Sequence, residues 1–159
     1  MKKKRIRKYN PLNFAAIFGL IVISFFSGLQ LKAQSSSLTV ISNQNGSPSS
    51  LKFSELKSIF MGEQQRWKSG TKITIALMKT NTPAGKIASQ KIYGMSSDEL
   101  NKFWLALVFQ GKAQAPNFFS SASELENFVA QNPGAIGILD KPIPDFEIKA
   151  IMIDGQKTF

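Results

Sequence analysis

The chain has 159 residues, a formal net charge of +10, and neither cysteine nor histidine. Without these residue types it cannot form disulfides, zinc sites built on thiolates or imidazoles, Ser-His-Asp or Cys-His catalytic sites, or an N-terminal lipid anchor on cysteine. The cations that follow residue 33 are scattered singly, which argues against binding to nucleic acid.

The N-terminus has the three parts of a secretory signal peptide. A cationic start, Lys2 to Lys8, precedes an apolar run from Phe14 to Phe26, and "LKA" ends just before Gln34. An uncleaved membrane anchor is the alternative, but the densest apolar stretch is shorter than the ~20 residues that a spanning helix needs. We therefore expect residues 1–33 to be removed and the protein to be periplasmic or secreted, with a membrane contact only during export. This leaves 13 − 10 = +3 charges on the mature chain.

The first half of the mature chain shows two strand patterns around one short helix. Residues 34–37 form a short flexible leader, and Leu38 to Ser42 is an apolar run suited to a buried strand. A helix capped by Ser54 is predicted to run through Phe60 and to end at Gly62. After a polar turn, residues 72–78 are predicted to form the second strand.

The second half contains three helix patterns followed by two strands. A helix follows the turn from Thr80 to Pro83 and ends near Tyr93. Ser96 and Glu99 have the spacing of a capping box, which predicts a helix that starts there and ends at Gly111. Ser123 and Glu126 have the same spacing and predict another helix, which ends at 132–134. Residues 135–139 and 147–153 read as strands. Strands alternating with helices predict one α/β domain over residues 38–159, with a mixed sheet flanked by helices.

The order of several short motifs resembles the phosphate ABC transporter substrate-binding protein family, in particular its small exported single-domain members. These motifs are "IFMG" at 59–62, Trp67, Gly70, "FWLALVFQGKAQAP" at 103–116 and "NPGAIGIL" at 132–139. The resemblance implies one periplasmic-binding-protein-like lobe of type II, without catalytic residues, metal or cofactor. It further implies a phosphate-like oxyanion as ligand and an ABC permease or another envelope protein as partner.

In that family, a loop after the second strand surrounds the oxyanion, and here the corresponding stretch is "MKTNTPAG". The resemblance places Lys79 where a cation is expected, Thr80 at a hydroxyl, and Asn81 where a carboxylate would accept the proton of hydrogen phosphate. Thr82 begins the part that replaces a Ser-Gly-Thr segment, and Pro83 removes one backbone donor. Because 126 residues supply about one lobe, the anion would also stay hydrated, and we expect weak binding if any. The alternative is an ordinary strand-to-helix turn with a solvent-exposed Lys79, since Thr, Asn, Pro and Gly are common in turns without a ligand.

Two other polar stretches are candidates for the same edge of the sheet. One begins with Ser42 and Asn43 after the first strand, and the other begins with Ser120 and Ser121 before a helix. An ordinary loop and an ordinary helix cap are the alternatives, because Ser and Asn favour such positions without any ligand.

Two classes of function remain open at this point. The leading hypothesis is an exported, non-enzymatic solute-binding-like domain, and the alternative is an envelope assembly module that keeps the fold without a solute site. A hydrolase using paired carboxylates has weak support, because the acids at 98, 99, 124 and 126 lie at helix N-termini, where capping explains them. Trp67 is predicted to pack in the core or the turn, and Phe103, Trp104 and Phe128 are predicted to belong to the core.

Overall fold

The computed structural model describes residues 37–141 and 148–159, so the predicted signal peptide and the leader up to residue 36 lie outside the described residues. The strands are β1 Thr39–Asn43, β2 Ser50–Leu51, β3 Thr74–Met78, β4 Asn117–Phe119, β5 Ala135–Leu139 and β6 Ile148–Ile153. The helices are α1 Phe53–Phe60, α2 Pro83–Ala88, α3 Ser97–Phe109 and α4 Ala122–Gln131, and α2 continues into a π-helical turn, Ser89–Tyr93.

The strands form one mixed sheet in the order β2-β6-β1-β5-β3-β4. β1 runs antiparallel to both of its neighbours, whereas the other strand pairs are parallel. The carboxyl ends of the five parallel strands therefore lie along one border of the sheet, perpendicular to the strands, which we call an edge. The carboxyl end of β1 lies along the opposite edge. This confirms the predicted α/β class and mixed sheet.

Both faces of the sheet are covered, because successive side chains of a strand point to opposite sides. In β3, Ile75 and Leu77 pack in the cluster shared with α1, the π-helical turn and α3, whereas Ala76 and Met78 pack in the cluster shared with α4. Because β3 is buried on both sides, its sequence is a continuous apolar run.

The turn between α1 and β3 is a packing element, as predicted. Trp67 is only 4% exposed and belongs to the core. Gly62 and Gly70 have φ angles of +76° and +86°, which a side chain would disfavour. Trp104 is likewise buried, whereas Phe103 and Phe128 are half-buried and pack at the margins of the two clusters.

Several predicted boundaries were wrong. α1 begins at Phe53, after Lys52 and not after Ser54, and the Lys52 amide donates to Glu55 Oε2 at 2.8 Å. The capping box of α4 is Ser121 with Glu124, two residues before the predicted pair, because β4 ends at Phe119 and the helix follows at once. The Ser96 and Glu99 box of α3 is confirmed.

Strands β2 and β4 were not predicted. Each is too short to show a periodic pattern, and each exists through its parallel pairing with a longer neighbour. Glu147, the predicted start of the last strand, falls outside the described residues. Within 37–141 and 148–159, no helix has the length and apolar character needed to cross a membrane.

Candidate functional site

The ends of β3 and β4 bring two of the three predicted polar stretches together. The Lys79 amide donates to the Phe119 carbonyl oxygen at 2.9 Å, so these strands stay paired up to the edge of the sheet. Residues 79–82 and 120–121 therefore begin side by side. We call them the edge cluster, which consists of Lys79, Thr80, Asn81, Thr82, Ser120 and Ser121.

Thr82 fixes the shape of the first loop. Its amide and its hydroxyl donate to the Lys79 carbonyl oxygen at 2.9 and 2.7 Å, and its hydroxyl accepts from the Gly85 amide at 3.1 Å as the N-cap of α2. Gly85 lies so close that a β-carbon there would be 2.1 Å from the same carbonyl oxygen. The Thr82 hydroxyl is thus committed to the turn.

The start of α3 holds the next part of the loop. The Ser97 hydroxyl donates to the Thr80 carbonyl oxygen at 2.8 Å. The Asn101 side chain hydrogen-bonds to the Thr80 hydroxyl at 3.2 to 3.3 Å. Thr80 is therefore oriented by α3, a role for Ser97 and Asn101 that nothing in their local sequence indicates.

The second half of the edge cluster is occupied by a carboxylate. Glu124 Oε2 accepts from the backbone amides of Ser120 and Ser121 at 3.1 and 3.2 Å, and the Glu124 amide donates to the Ser121 hydroxyl at 3.3 Å. These two backbone amides, which could otherwise hold an anion, are therefore satisfied within the chain. The carboxylate also repels an anion. From the sequence, Glu124 was interpreted only as one of the acids that favour a helix N-terminus.

Lys79 and Asn81 provide polar side chains at this edge that remain available, as does the exposed hydroxyl of Ser120. Both side chains are exposed, and no hydrogen bond joins the Lys79 ammonium or the Asn81 amide to any described residue. One cation beside one amide can attract a small anion. Because both groups are hydrated, that attraction is weak.

Ser42 and Asn43 lie at the opposite edge of the sheet, so their predicted grouping with Lys79 was wrong. β1 is antiparallel to β5, and Ser42 pairs with Ile136 near the start of that strand. The Ser42 hydroxyl accepts from Ser47 at 2.8 Å. The Asn43 amide donates to the carbonyl oxygens of Val129 and Ala130 at 3.0 and 2.7 Å, which satisfies the last turn of α4.

A cavity of about 410 Å³ lies near this opposite edge, between the loop that follows β1 and the turn before β3. Glu55 and Lys68 contribute its charged groups, and Leu51 and Trp67 contribute apolar surface. The Glu55 carboxylate already accepts from the Lys52 amide, and the Trp67 indole already donates to Gly134. The cavity shares no lining residue with the edge cluster, and these two polar groups are already bonded within the chain.

Three of the acids in the described chain serve helix caps or an ion pair. Glu99 and Glu124 close the capping boxes of α3 and α4, and Glu126 pairs with Lys141 at 3.0 Å. Across residues 37–141 and 148–159, no three Asp or Glu side chains are grouped as a metal site requires.

Comparison with solved structures defines the class of fold. The mixed sheet with helices on both faces is a periplasmic-binding-protein-like α/β fold. No protein-family model and no curated protein sequence matches the chain.

Solved structures that share this fold include proteins described as phosphate ABC transporter substrate-binding proteins or phosphate transport receptors. One from Clostridium perfringens, assigned to that class and solved with bound phosphate, matches with a TM-score of 0.56 and 18% identity over 76% of this chain and 46% of its own. An ABC-type phosphate transport receptor from Vibrio cholerae gives 0.58 and 18%, over 77% and 48%. PstS from Borrelia burgdorferi gives 0.54 and 15%, over 76% and 48%. At these identities the likeness is one of fold, and the chain spans about half the length of each matched protein.

Proposed function

We propose that this is an exported, non-enzymatic solute-binding-like domain that holds a small oxyanion such as phosphate weakly at the edge cluster. The observation that carries the proposal is the position of Lys79. This exposed cation directly follows the carboxyl end of β3, two residues before Asn81, and its backbone is paired with the end of the parallel strand β4. The fold adds support, because its solved neighbours are named as phosphate transport proteins. An ABC permease is the partner that those names suggest.

Weak and unselective binding follows from the same geometry. Lys79 and Asn81 are exposed, so a bound anion keeps most of its water, and Glu124 places a negative charge nearby. Asn81 has no carboxylate to accept the proton of hydrogen phosphate and to repel sulfate. Phosphate and sulfate should therefore bind with similar affinity.

Calorimetry at low salt tests the site directly. Phosphate and sulfate are titrated into the mature protein and into Lys79→Ala, with Lys57→Ala on α1 as a control of equal charge change. The proposal expects binding of both anions that is no tighter than roughly millimolar, since an exposed ion pair contributes only about 1 kcal/mol or less. Lys79→Ala should abolish this binding, and Lys57→Ala should preserve it. If Lys79→Ala behaves like wild type, the edge cluster is not the site.

Export has its own test. Mass spectrometry of the secreted or periplasmic fraction should show a chain that begins at or near Gln34, since residues 1–33 have the composition of a signal peptide. An intact N-terminus in the membrane fraction would contradict export by cleavage.

An envelope assembly module is the second candidate, favoured by the exposed apolar side chains of α3. Such a module needs no solute, and its anion titrations would be flat in every variant. A flat titration together with specific association through α3 would favour this function over solute binding.

A further inference from the structure

One face of α3 exposes apolar side chains to solvent. Phe109 is 83% exposed, Leu105 is 58% exposed, and Val108 is 43% exposed. Side chains of this size leave roughly 300 to 400 Å² of apolar surface in one patch, a range in which patches on soluble proteins are often functional. The buried side of α3, which includes Leu100 and Trp104, already accounts for its packing on the sheet.

A groove runs along this patch between α3 and the segment that enters β4. Its volume is about 250 Å³, and it is lined by Asn101, Trp104, Leu105, Val108, Ala115 and Phe118. β4 is an edge strand of the described sheet. A groove of this size can receive one aromatic side chain, and the exposed ring of Phe109 lies on the same helix.

Opposite charges stand at equal sequence distances from the middle of the patch. Asp98 lies seven residues before Leu105 and Lys112 seven residues after it, and both are exposed. The Lys112 amide donates to the Leu107 carbonyl oxygen at 3.0 Å, which ties Lys112 to the end of the helix. When two such helices run antiparallel and cross at Leu105, the acid of each faces the base of the other.

We infer that this face binds a second copy of the same chain. The two α3 helices pack antiparallel about a two-fold axis near Leu105, and Phe109 of each copy enters the groove of the other. Asp98 faces Lys112 of the second copy. A two-fold interface is self-complementary, so one patch that carries both the ring and the groove suffices. Antiparallel helix dipoles add to the charge match.

The buried area predicts a weak dimer. Two such patches contribute roughly 600 to 800 Å², below the 1,200 to 2,000 Å² of standard stable interfaces even before rim residues are added. We therefore expect a reversible dimer that forms at micromolar to millimolar concentration, roughly 1 μM to 1 mM. The charged pairs lie at the rim, where they set orientation more than affinity.

Sedimentation equilibrium of the purified mature protein tests the inference. Phe109→Asp should raise the dissociation constant at least about tenfold, because it puts a charge into an apolar groove. The control Met152→Asp changes an exposed apolar residue on β6, which is 38% exposed, and should leave association unchanged. Circular dichroism of each variant checks that the fold is retained.

A charge exchange tests the antiparallel register. Asp98→Lys and Lys112→Asp should each weaken association several-fold, and the double variant should recover most of it, because the pairs are restored across the axis. A protein that stays monomeric at every concentration would overturn the inference. So would a dimer that Phe109→Asp leaves intact, a double variant that is no better than the single ones, or a monomer that binds phosphatidylglycerol vesicles through Phe109.

Discussion

The indole N–H of Trp67 donates a 2.9 Å hydrogen bond to the carbonyl oxygen of Gly134 and so joins the turn before β3 to the turn before β5. Because Trp67 is buried, water does not compete for this bond. Trp67→Phe keeps an aromatic ring and removes the donor. We expect it to lower the free energy of unfolding by about 1 to 2 kcal/mol more than the loss of ring volume alone.

Trp104→Phe is the matched control, measured in the same urea titrations. Trp104 is equally buried, but its indole N–H lies beside the Tyr93 hydroxyl without a hydrogen bond of ordinary geometry to any described residue. The same substitution there removes volume and no established bond. Equal losses at the two positions would show that the Trp67 bond contributes nothing measurable.

Asn43→Ala should destabilise the protein and leave anion binding unchanged. The substitution removes both hydrogen bonds to the end of α4 and the acceptor for the Asn45 amide, which leaves buried polar groups unpaired. The expected cost is about 1 to 3 kcal/mol, whereas Asn81→Ala at an exposed position should change stability by less than about 0.5 kcal/mol. Thermal unfolding together with phosphate titration separates the two residues. Loss of anion binding in Asn43→Ala would return this residue to the candidate site.

Gly85→Ala should strain the loop that carries Lys79. A β-carbon would stand 2.1 Å from the Lys79 carbonyl oxygen, so the backbone of the loop or of α2 must move. We expect a loss of about 1 to 3 kcal/mol in urea unfolding. Lys86→Ala, at the next and exposed position of the same helix, should be nearly neutral. Wild-type stability of Gly85→Ala would mean that the loop accommodates the methyl group without cost.

Acid should weaken the start of α3 through Glu99. The amide and hydroxyl of Ser96 each donate to Glu99 Oε2 at 2.8 Å, and these bonds hold the pKa of Glu99 below its ordinary value of 4.5. Since the folded pKa is the lower one, the ionised carboxylate stabilises the fold above pH 4.5, and this contribution is lost as the pH falls through the folded pKa.

Melting temperatures of wild type and Glu99→Gln, followed from neutral pH into acid, measure this contribution. The difference between the two proteins should be largest above pH 4.5 and should shrink below it. Glu63→Gln, at an exposed acid outside the helix caps, is the control. A constant difference across the whole range would exclude the Glu99 carboxylate as its source.

The apolar runs of the sequence predicted β1, β3, β5 and β6 because these strands lie inside the sheet or its core, where burial shapes composition. β4 could not be predicted in this way. Its three residues are largely exposed, and its register follows from parallel pairing with β3.

The candidate site was predictable in part. The residues that follow β3 and β4 meet because those strands are parallel. Asn43 was misplaced because strand direction is not encoded in a five-residue apolar run, and β1 runs the other way. The role of Glu124 was hidden by two overlapping capping patterns, and the end of β4 decides between them.

The central position of β1 has a consequence for how the chain folds during synthesis. Val40 pairs with Ile138 on one side and with Ile151 on the other. A nascent chain that has not yet reached β5 thus lacks both neighbours of its first strand, and the middle of the sheet cannot close. Such distant pairings slow folding, because the chain loses the entropy of closing a long loop before the stabilising contacts form. The pairings of β1 with β5 and β6 can therefore form only when nearly all of the described chain has been synthesised.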